Sequence, residues 1–439
     1  MKTKKAQYAA TVLLTGLLAL PAGAQAQSVE DEIAELRQQL LALTSRLDQL
    51  ESSNEELQQE NAELMAANQA NQERAEELQL AAEEARTAAA SAEEAAEAVS
   101  WAETLRWKGD FRYRYENIAI EDRADRDRSR IRARAALVAD VHDDMEVGIG
   151  IASGSDDPVS SNQTLGGGGT SKDLKLDLAY FNWSGLKNTN ILGGKFKNQL
   201  APVGKNSMLW DSDWRPEGTS IVWDNGTFFA NGVGTWLESD SRAGNSFAWI
   251  AEAGFRLNFG ENGKFRAGVG AHAFDVKGRQ SFFGDGDFFG NSSVTIGSGE
   301  DAIDIYKFDY EGIQAFAELG WKMFDLPTTV YADFVQNQDA DEFDTGYIFG
   351  LKLGSAKEKG TWDAGIAYED LEADAALGLL TDSDFGGGGT DARGLIIKGT
   401  YAIRKNLNTK LTYFINEIDG DLGTERDFDR FMLDLNFKF

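Results

Sequence analysis

Apolar residues recur every 3.5 positions from Val29 to Val99. With Val29 at heptad position d, the seam holds Ile33, Leu36, Leu40, Leu43, Leu47, Leu50, Leu57, Leu64 and Leu78, then Ala82, Ala85, Ala89, Ala92 and Ala96. A 3.5-residue period kept over roughly ten heptads predicts a left-handed coiled coil. No proline or glycine interrupts it. At ~1.5 Å per residue, residues 28–99 make a rod of about 108 Å. Asn54, Asn61, Asn68 and Asn71 place amide layers in the seam. Such layers fix register and strand number at a cost in stability. Leucine at both a and d leaves two and three strands open.

Past Trp101 the period changes to two. In "LRWKGDFRYRYE", Leu105, Trp107, Phe111, Tyr113 and Tyr115 share one face, and Arg106, Lys108, Asp110, Arg112, Arg114 and Glu116 the other. In "RSRIRARAALVADV", Ile131, Ala133, Ala135, Leu137, Ala139 and Val141 oppose Arg128, Arg130, Arg132 and Arg134. Clean alternation predicts strands. Sixteen such segments follow one another: 104–116, 128–141, 145–154, 173–183, 190–197, 218–224, 227–238, 247–258, 264–276, 308–322, 328–337, 344–354, 361–370, 392–401, 407–416 and 427–439. Short connections ("HDD", "DNG", "FDLP", "RKN") alternate with long ones at 155–172, 198–217, 277–307 and 371–391.

Short turns on one rim and long loops on the other mark an outer-membrane barrel, with both termini on the short-turn rim. The charged face is too rich for a dry core, and Arg or Lys facing lipid costs ~2–4 kcal/mol near the midplane. The expected fold is therefore an all-β transmembrane barrel of about sixteen antiparallel strands, apolar outside and wet inside, preceded by the coiled coil. A barrel this wide holds an aqueous channel. The 277–307 segment is long enough to hide a further hairpin, which leaves eighteen strands open. Trp107, Trp183, Trp223 and Trp321 fall near the short-turn rim, as an aromatic girdle does. The last segment, "DRFMLDLNFKF", turns Phe431, Leu433, Leu435, Phe437 and Phe439 outward, against Met432, Asp434, Asn436 and Lys438.

Composition narrows the setting. Lys2, Lys4 and Lys5, the apolar stretch Tyr8–Leu20 and "AQA" at 24–26 read as an export signal over residues 1–26. Domain boundaries are then 27–100 for the coil and 101–439 for the barrel. The chain has no cysteine and two histidines, His142 and His272, so thiol chemistry is excluded and histidine catalysis has few candidates. A net charge of −29, of which −15 falls on 27–103 and −17 on 104–439, argues against nucleic-acid binding.

The segments "RWKGDFRYRYE", "DRDRSRIRARAAL", "GIASGSDDPVSSNQTLG", "LAYFNW", "GGKFKN" and "WDSDWRPEG", between Trp107 and Gly218, resemble the putative porin family of Gram-negative bacteria. That resemblance implies a passive, water-filled, trimeric diffusion channel in the outer membrane. A terminal Phe after alternating residues resembles the assembly signal of such barrels, which marks Phe439. A coil before the barrel is similar to tethering porins that reach toward the cell wall. This adds peptidoglycan as a candidate partner beside lipid and the chain's own copies.

Two candidate elements line the expected pore. Arg106, Lys108, Arg112, Arg114, Arg128, Arg130, Arg132 and Arg134 sit on adjacent strands and form one basic stripe. Either it attracts anions and helps set selectivity, or it is structural and pairs with Asp110, Glu116, Asp125 and Asp127. The third long loop, "NQLAPVGKNSMLWDSDWRPEG", sits where porins fold a loop into the lumen. Asp211, Asp213 and Glu217 would then face the arginines across a constriction. The alternative is an ordinary external loop with an apolar cluster of Met208, Leu209, Trp210 and Trp214. The arginines favour anions and the acidic loops favour cations, so the sign of selectivity stays open.

Other signals are weaker. "NQDADEFD" (337–344) lacks the glycine and the closing Glu of a calcium loop. The "GGGG" runs at 166–169 and 386–389 have no following helix to cradle phosphate. No cofactor or metal is expected, nor an enzyme. The competing function is structural: the coil as a spacer between outer membrane and cell wall, with incidental conductance.

Overall fold

The computed structural model describes residues 28–439 apart from Ser241 and Ala243, so the expected export signal lies outside the described residues. The chain divides into two compact units on either side of the Ala98–Val99 junction. Helix α1 runs Ser28–Glu103, 76 residues. Along it the seam leucines, Leu36 to Leu64, stand exposed on the single chain. Asn61 turns its amide back on the Leu57 carbonyl, one turn earlier.

The second unit is a closed wall of sixteen antiparallel strands. These are β1 Leu105–Ile120, β2 Arg126–His142, β3 Met145–Ser153, β4 Leu174–Leu186, β5 Thr189–Lys195, β6 Glu217–Asp224, β7 Phe228–Glu238 and β8 Ser246–Phe259. The others are β9 Gly263–Phe274, β10 Tyr310–Met323, β11 Leu326–Asn337, β12 Thr345–Gly354, β13 Trp362–Leu371, β14 Ala392–Arg404, β15 Leu407–Ile418 and β16 Arg426–Lys438. Each strand pairs with its neighbour in sequence, and β16 closes on β1 from Asp110↔Lys438 to Ile120↔Phe428. The 277–307 segment does carry a hairpin, Ser293–Ile296 with Ile303–Tyr306, but it forms its own two-stranded sheet. The wall therefore has sixteen strands, not eighteen.

Alternation sorts each strand into two faces. Outward lie exposed apolar residues such as Trp107, Leu137, Ile149, Ile221, Val269, Ile313, Phe349, Ile397 and Leu433. The turns of the short rim use local hydrogen bonds and left-handed residues: Asn225 accepts from the amides of Thr227 and Phe228, and Phe324 and Asp325 both have positive φ. At the seam, Phe439 and Gly109 exchange main-chain hydrogen bonds of 2.9 and 3.1 Å. A Cβ at Gly109 would lie 2.3 Å from the Phe439 ring, so only glycine lets the ring sit there.

The lumen is not uniformly wet. Inward-facing apolar residues on the long-loop half of the wall pack against loops that fold inside. Val335, Ile348, Ile396, Phe414 and Met432 cluster with Met208, Leu209, Ala375, Ala376 and Phe385. Val233, Ala248, Ile250, Phe274 and Tyr310 cluster with Leu200, Trp214, Phe288, Tyr306, Leu377, Leu379 and Leu380. Segments 198–217, 277–307 and 371–391 thus bring their own apolar cores inside the barrel.

Candidate functional site

The basic stripe faces the lumen. Asp110 lies between Arg132 (2.9 Å) and Arg134 (2.8 Å), and Arg106 pairs with Asp140 and Glu146. Glu116, wholly buried, takes Arg128, Arg130 (3.6 Å) and, from β16, Arg430 (2.6 Å). Arg114, also buried, donates to Asp434 at 2.7 and 3.0 Å. Lys108 lines a cavity of about 570 Å³ with Asp110, Arg134, Glu146, Tyr180 and Phe439. Two expected partners are elsewhere: Asp127 accepts from Tyr115 and Asn117 instead of an arginine, and Asp125 makes no ion pair among the described residues. Tyr115 belongs to the outward set of β1, so the register of that hairpin carries Asp127 away from the lumen.

Loop 198–217 crosses the lumen between two walls of opposite charge. On one side its backbone is received by carboxylates of β8, β10 and β11. The amide of Ala201 donates to Glu252 (2.7 Å) and that of Gly204 to Glu318 (2.7 Å), while Asn206 donates its side-chain amide to Asp333 (3.1 Å). On the other side the loop presents its own carboxylate. Asp213 reaches Arg134 at 2.8 Å and Arg132 at 3.4 Å. Burial pushes the Asp213 carboxyl up, but Arg132, Arg134 and Arg215 outweigh it and hold it down at about 2. Asp211 meets no arginine. It accepts from the amides of Asp213 (2.7 Å) and Ser383 (3.0 Å), and burial, with Asp382 and Asp213 nearby, pushes it well above the usual carboxylate range. Glu217 is the exception among the three acids: it starts β6 and pairs with Lys195.

The apolar cluster and the infolded loop are one feature. Met208, Leu209 and Trp214 are buried inside the barrel, and Trp210 stacks on Trp214 at 5.4 Å. Their packing anchors the segment that carries Asp211 and Asp213.

A second acidic loop was not singled out in the sequence. Within 371–391, Asp384 bridges Arg114 (3.0 Å) and Arg430 (2.8 Å). Burial raises its carboxyl, but Arg114, Arg430 and Arg112 hold it well below the usual range. The two loops are tied together, since the Asp211 amide donates to the Leu380 carbonyl at 2.8 Å. The signal for Arg430 was present: it shares the parity of Met432 and Asp434. Nothing in the period of 371–391 marks it as infolded; only its run of Ala and Leu does.

Neither histidine sits in a triad. His272 is buried against Trp210 and Phe274, and His142 contacts Asp144 in a turn. No cluster of metal-ligating side chains occurs among the described residues.

The model of a family described as "Putative porin" matches residues 119–292 and 287–439. No curated protein matches the sequence. Among solved structures, OprB of Pseudomonas putida at high pH aligns over 76% of this chain and 94% of its own, with 13% identity and a TM-score of 0.51. The loop L8 deletion mutant of OmpT, an outer membrane protein of Vibrio cholerae, aligns over 76% and 100%, with 13% identity and a TM-score of 0.47. OmpF of Salmonella typhi, in complex with daunomycin, aligns over 76% and 97%, with 12% identity and a TM-score of 0.46. The OprB likeness is one of fold.

Proposed function

The chain belongs to the putative porin family, and from that premise we propose that it is a passive diffusion channel for small hydrophilic solutes and ions. The family is one of outer-membrane porin barrels, and one observation carries the channel reading. Charged side chains line part of the inside of a sixteen-strand barrel while exposed apolar residues cover its outer face. Buried guanidinium and carboxylate groups on facing surfaces set a field across the narrowest part, which filters by charge. Arg106, Lys108, Arg112, Arg114, Arg128, Arg130, Arg132 and Arg134 supply one pole. Asp211 and Asp213 sit on the loop that narrows the passage; Glu217, paired with Lys195, is outside that role.

Single-channel recording in planar lipid bilayers tests this reading. Ohmic, stepped conductance supports it, and a silent bilayer rejects it. Simultaneous charge reversal of Asp211 and Asp213 shifts the reversal potential in a salt gradient; unchanged selectivity and conductance would remove the constriction.

The coil bears on assembly. Its exposed leucine seam supports a homotrimer whose helices join in the periplasm, with Asn54, Asn61, Asn68 and Asn71 setting register. Native mass measurement of the detergent-extracted protein then gives three chains, and a monomer overturns it. Phe439, closing the seam over Gly109, is the proposed assembly signal. The second reading, a spacer between outer membrane and cell wall, is favoured by the 76-residue helix. Peptidoglycan pull-down by the intact protein, abolished when residues 28–99 are deleted, separates that role from conductance.

A further inference from the structure

The basic wall carries more cations than its carboxylates pair. A cavity of about 190 Å³ opens between the tip of loop 198–217, loop 371–391 and the wall from β14 through β16 to β2. It is many times larger than one water requires. Six cations reach it, of which Arg114 and Arg132 are engaged by Asp434, Asp384, Asp110 and Asp213. The other four are Arg112, Lys205, Lys398 and Lys410. None has a carboxylate oxygen within 4.0 Å among the described residues.

Two buried donors point the same way. Arg112 donates only to Asn162, and its Nε is buried without a partner. The Thr412 hydroxyl, on a residue 1% exposed, also lacks one. Register places Thr412 directly opposite Lys398, with Lys410 two residues along the same strand. Lys205 enters from the loop side, on left-handed backbone (φ 59°) beside Gly204, whose Cβ would lie 2.2 Å from the Tyr331 ring. The same three lysines line a neighbouring cavity of about 200 Å³ along β11 to β15. Of the acids in the first cavity, Asp211 is in no ion pair, and burial with Asp382 and Asp213 nearby pushes it upward; burial and Asp384 push Asp382 upward too, against the opposing pull of Lys398 and Lys410.

We propose that this cavity is a binding site for a compact oxyanion, such as phosphate or a short carboxylate, received by Arg112, Lys398, Lys410 and Thr412. The inference rests on the channel reading for access and names the solute class the channel favours. Charge-assisted hydrogen bonds to several converging donors bind an oxyanion far better than chloride. Conduction needs such a site to hold its ion weakly enough to release it. The bland alternative is that these lysines offset Asp382 and Asp384 through water.

Equilibrium dialysis of radiolabelled inorganic phosphate against the full chain in detergent tests the site without relying on current. The expected result is saturable binding at one site per barrel, with Lys398→Gln/Lys410→Gln weakening it by roughly tenfold or more, as loss of charged donors does. Thr412→Val, which removes one hydroxyl at nearly constant volume, weakens it less and controls for folding. Succinate competing for the same site places carboxylates in the class; failure to compete restricts it to phosphate. In bilayers, phosphate then blocks chloride current with the same half-saturation. Absence of saturable binding, or binding unchanged in the double variant, overturns the site even where chloride flows. Saturable binding with no current at all leaves the site and removes the channel.

Discussion

The acidic and basic walls of the lumen hold the same loop by different means. Glu252, Glu318 and Asp333 accept from two main-chain amides and one asparagine, so these anchoring bonds use no charged group of the loop. Opposite, Arg132 and Arg134 bind the loop's own Asp213. A carboxylate that takes backbone N–H groups fixes where the chain runs, whatever side chains it carries. An arginine that takes a carboxylate depends on that one residue. Position is thus set mainly by the acidic wall and charge mainly by the basic one.

The largest test of this contrast is Asp384→Ala, which strips Arg114 and Arg430 of a shared buried partner. Arg114 keeps Asp434 and Arg430 keeps Glu116, so the loss is about 1.5–3 kcal/mol, seen as a lowered unfolding midpoint and faster hydrogen exchange in 371–391. An unchanged midpoint would mean that the arginines are already hydrated. Asp213→Asn is next: it leaves Arg134 sharing Asp110 with Arg132, shifts selectivity toward anions and keeps the loop infolded. Trypsin cleavage at Lys205 in folded Asp213→Asn, absent in the wild type, would contradict the division of labour. Glu318→Ala is smaller, about 1–3 kcal/mol for the unpartnered Gly204 amide, and it frees the loop without changing its charge. If it shifts selectivity as much as Asp213→Asn does, the two walls are not distinct.

The smallest effect is in pH. Burial pushes the Asp421 carboxyl up to about 6, with Asp391, Glu372 and Asp370 adding to it and the Ala373 amide opposing. A raised carboxyl contributes stability that is complete below the ordinary carboxylate range and is lost as pH rises through about 6. Amides near Ala373 and Leu422, corrected for intrinsic exchange, should be better protected at pH 4.5 than at pH 7.5. The opposite order would show that Asp421 is solvated.

The wall was legible because alternation is a local property. Every strand segment from 104–116 to 427–439 lies within a few residues of an observed strand, and the charge argument gave the inside its sign. The lumen contents were less legible. Met432 reads as polar-face by parity, yet it is buried under loop 371–391, because loops supply an apolar lining that strand periodicity does not encode. Asp127 has a different reason: it lies on the outward parity of β2, opposite Asn117, where it accepts from Tyr115 and Asn117 and cannot join the lumen arginines. The lysines of β14 and β15 stand singly among apolar neighbours, so no stripe announces them.

One bond carries a consequence of its own. With the Asp211 amide held by the Leu380 carbonyl, and the Ser383 amide by the Asp211 carboxylate, segments some 170 positions apart form a single crossbar. Neither half moves aside without dragging the other, so the two loops keep one spacing inside the barrel.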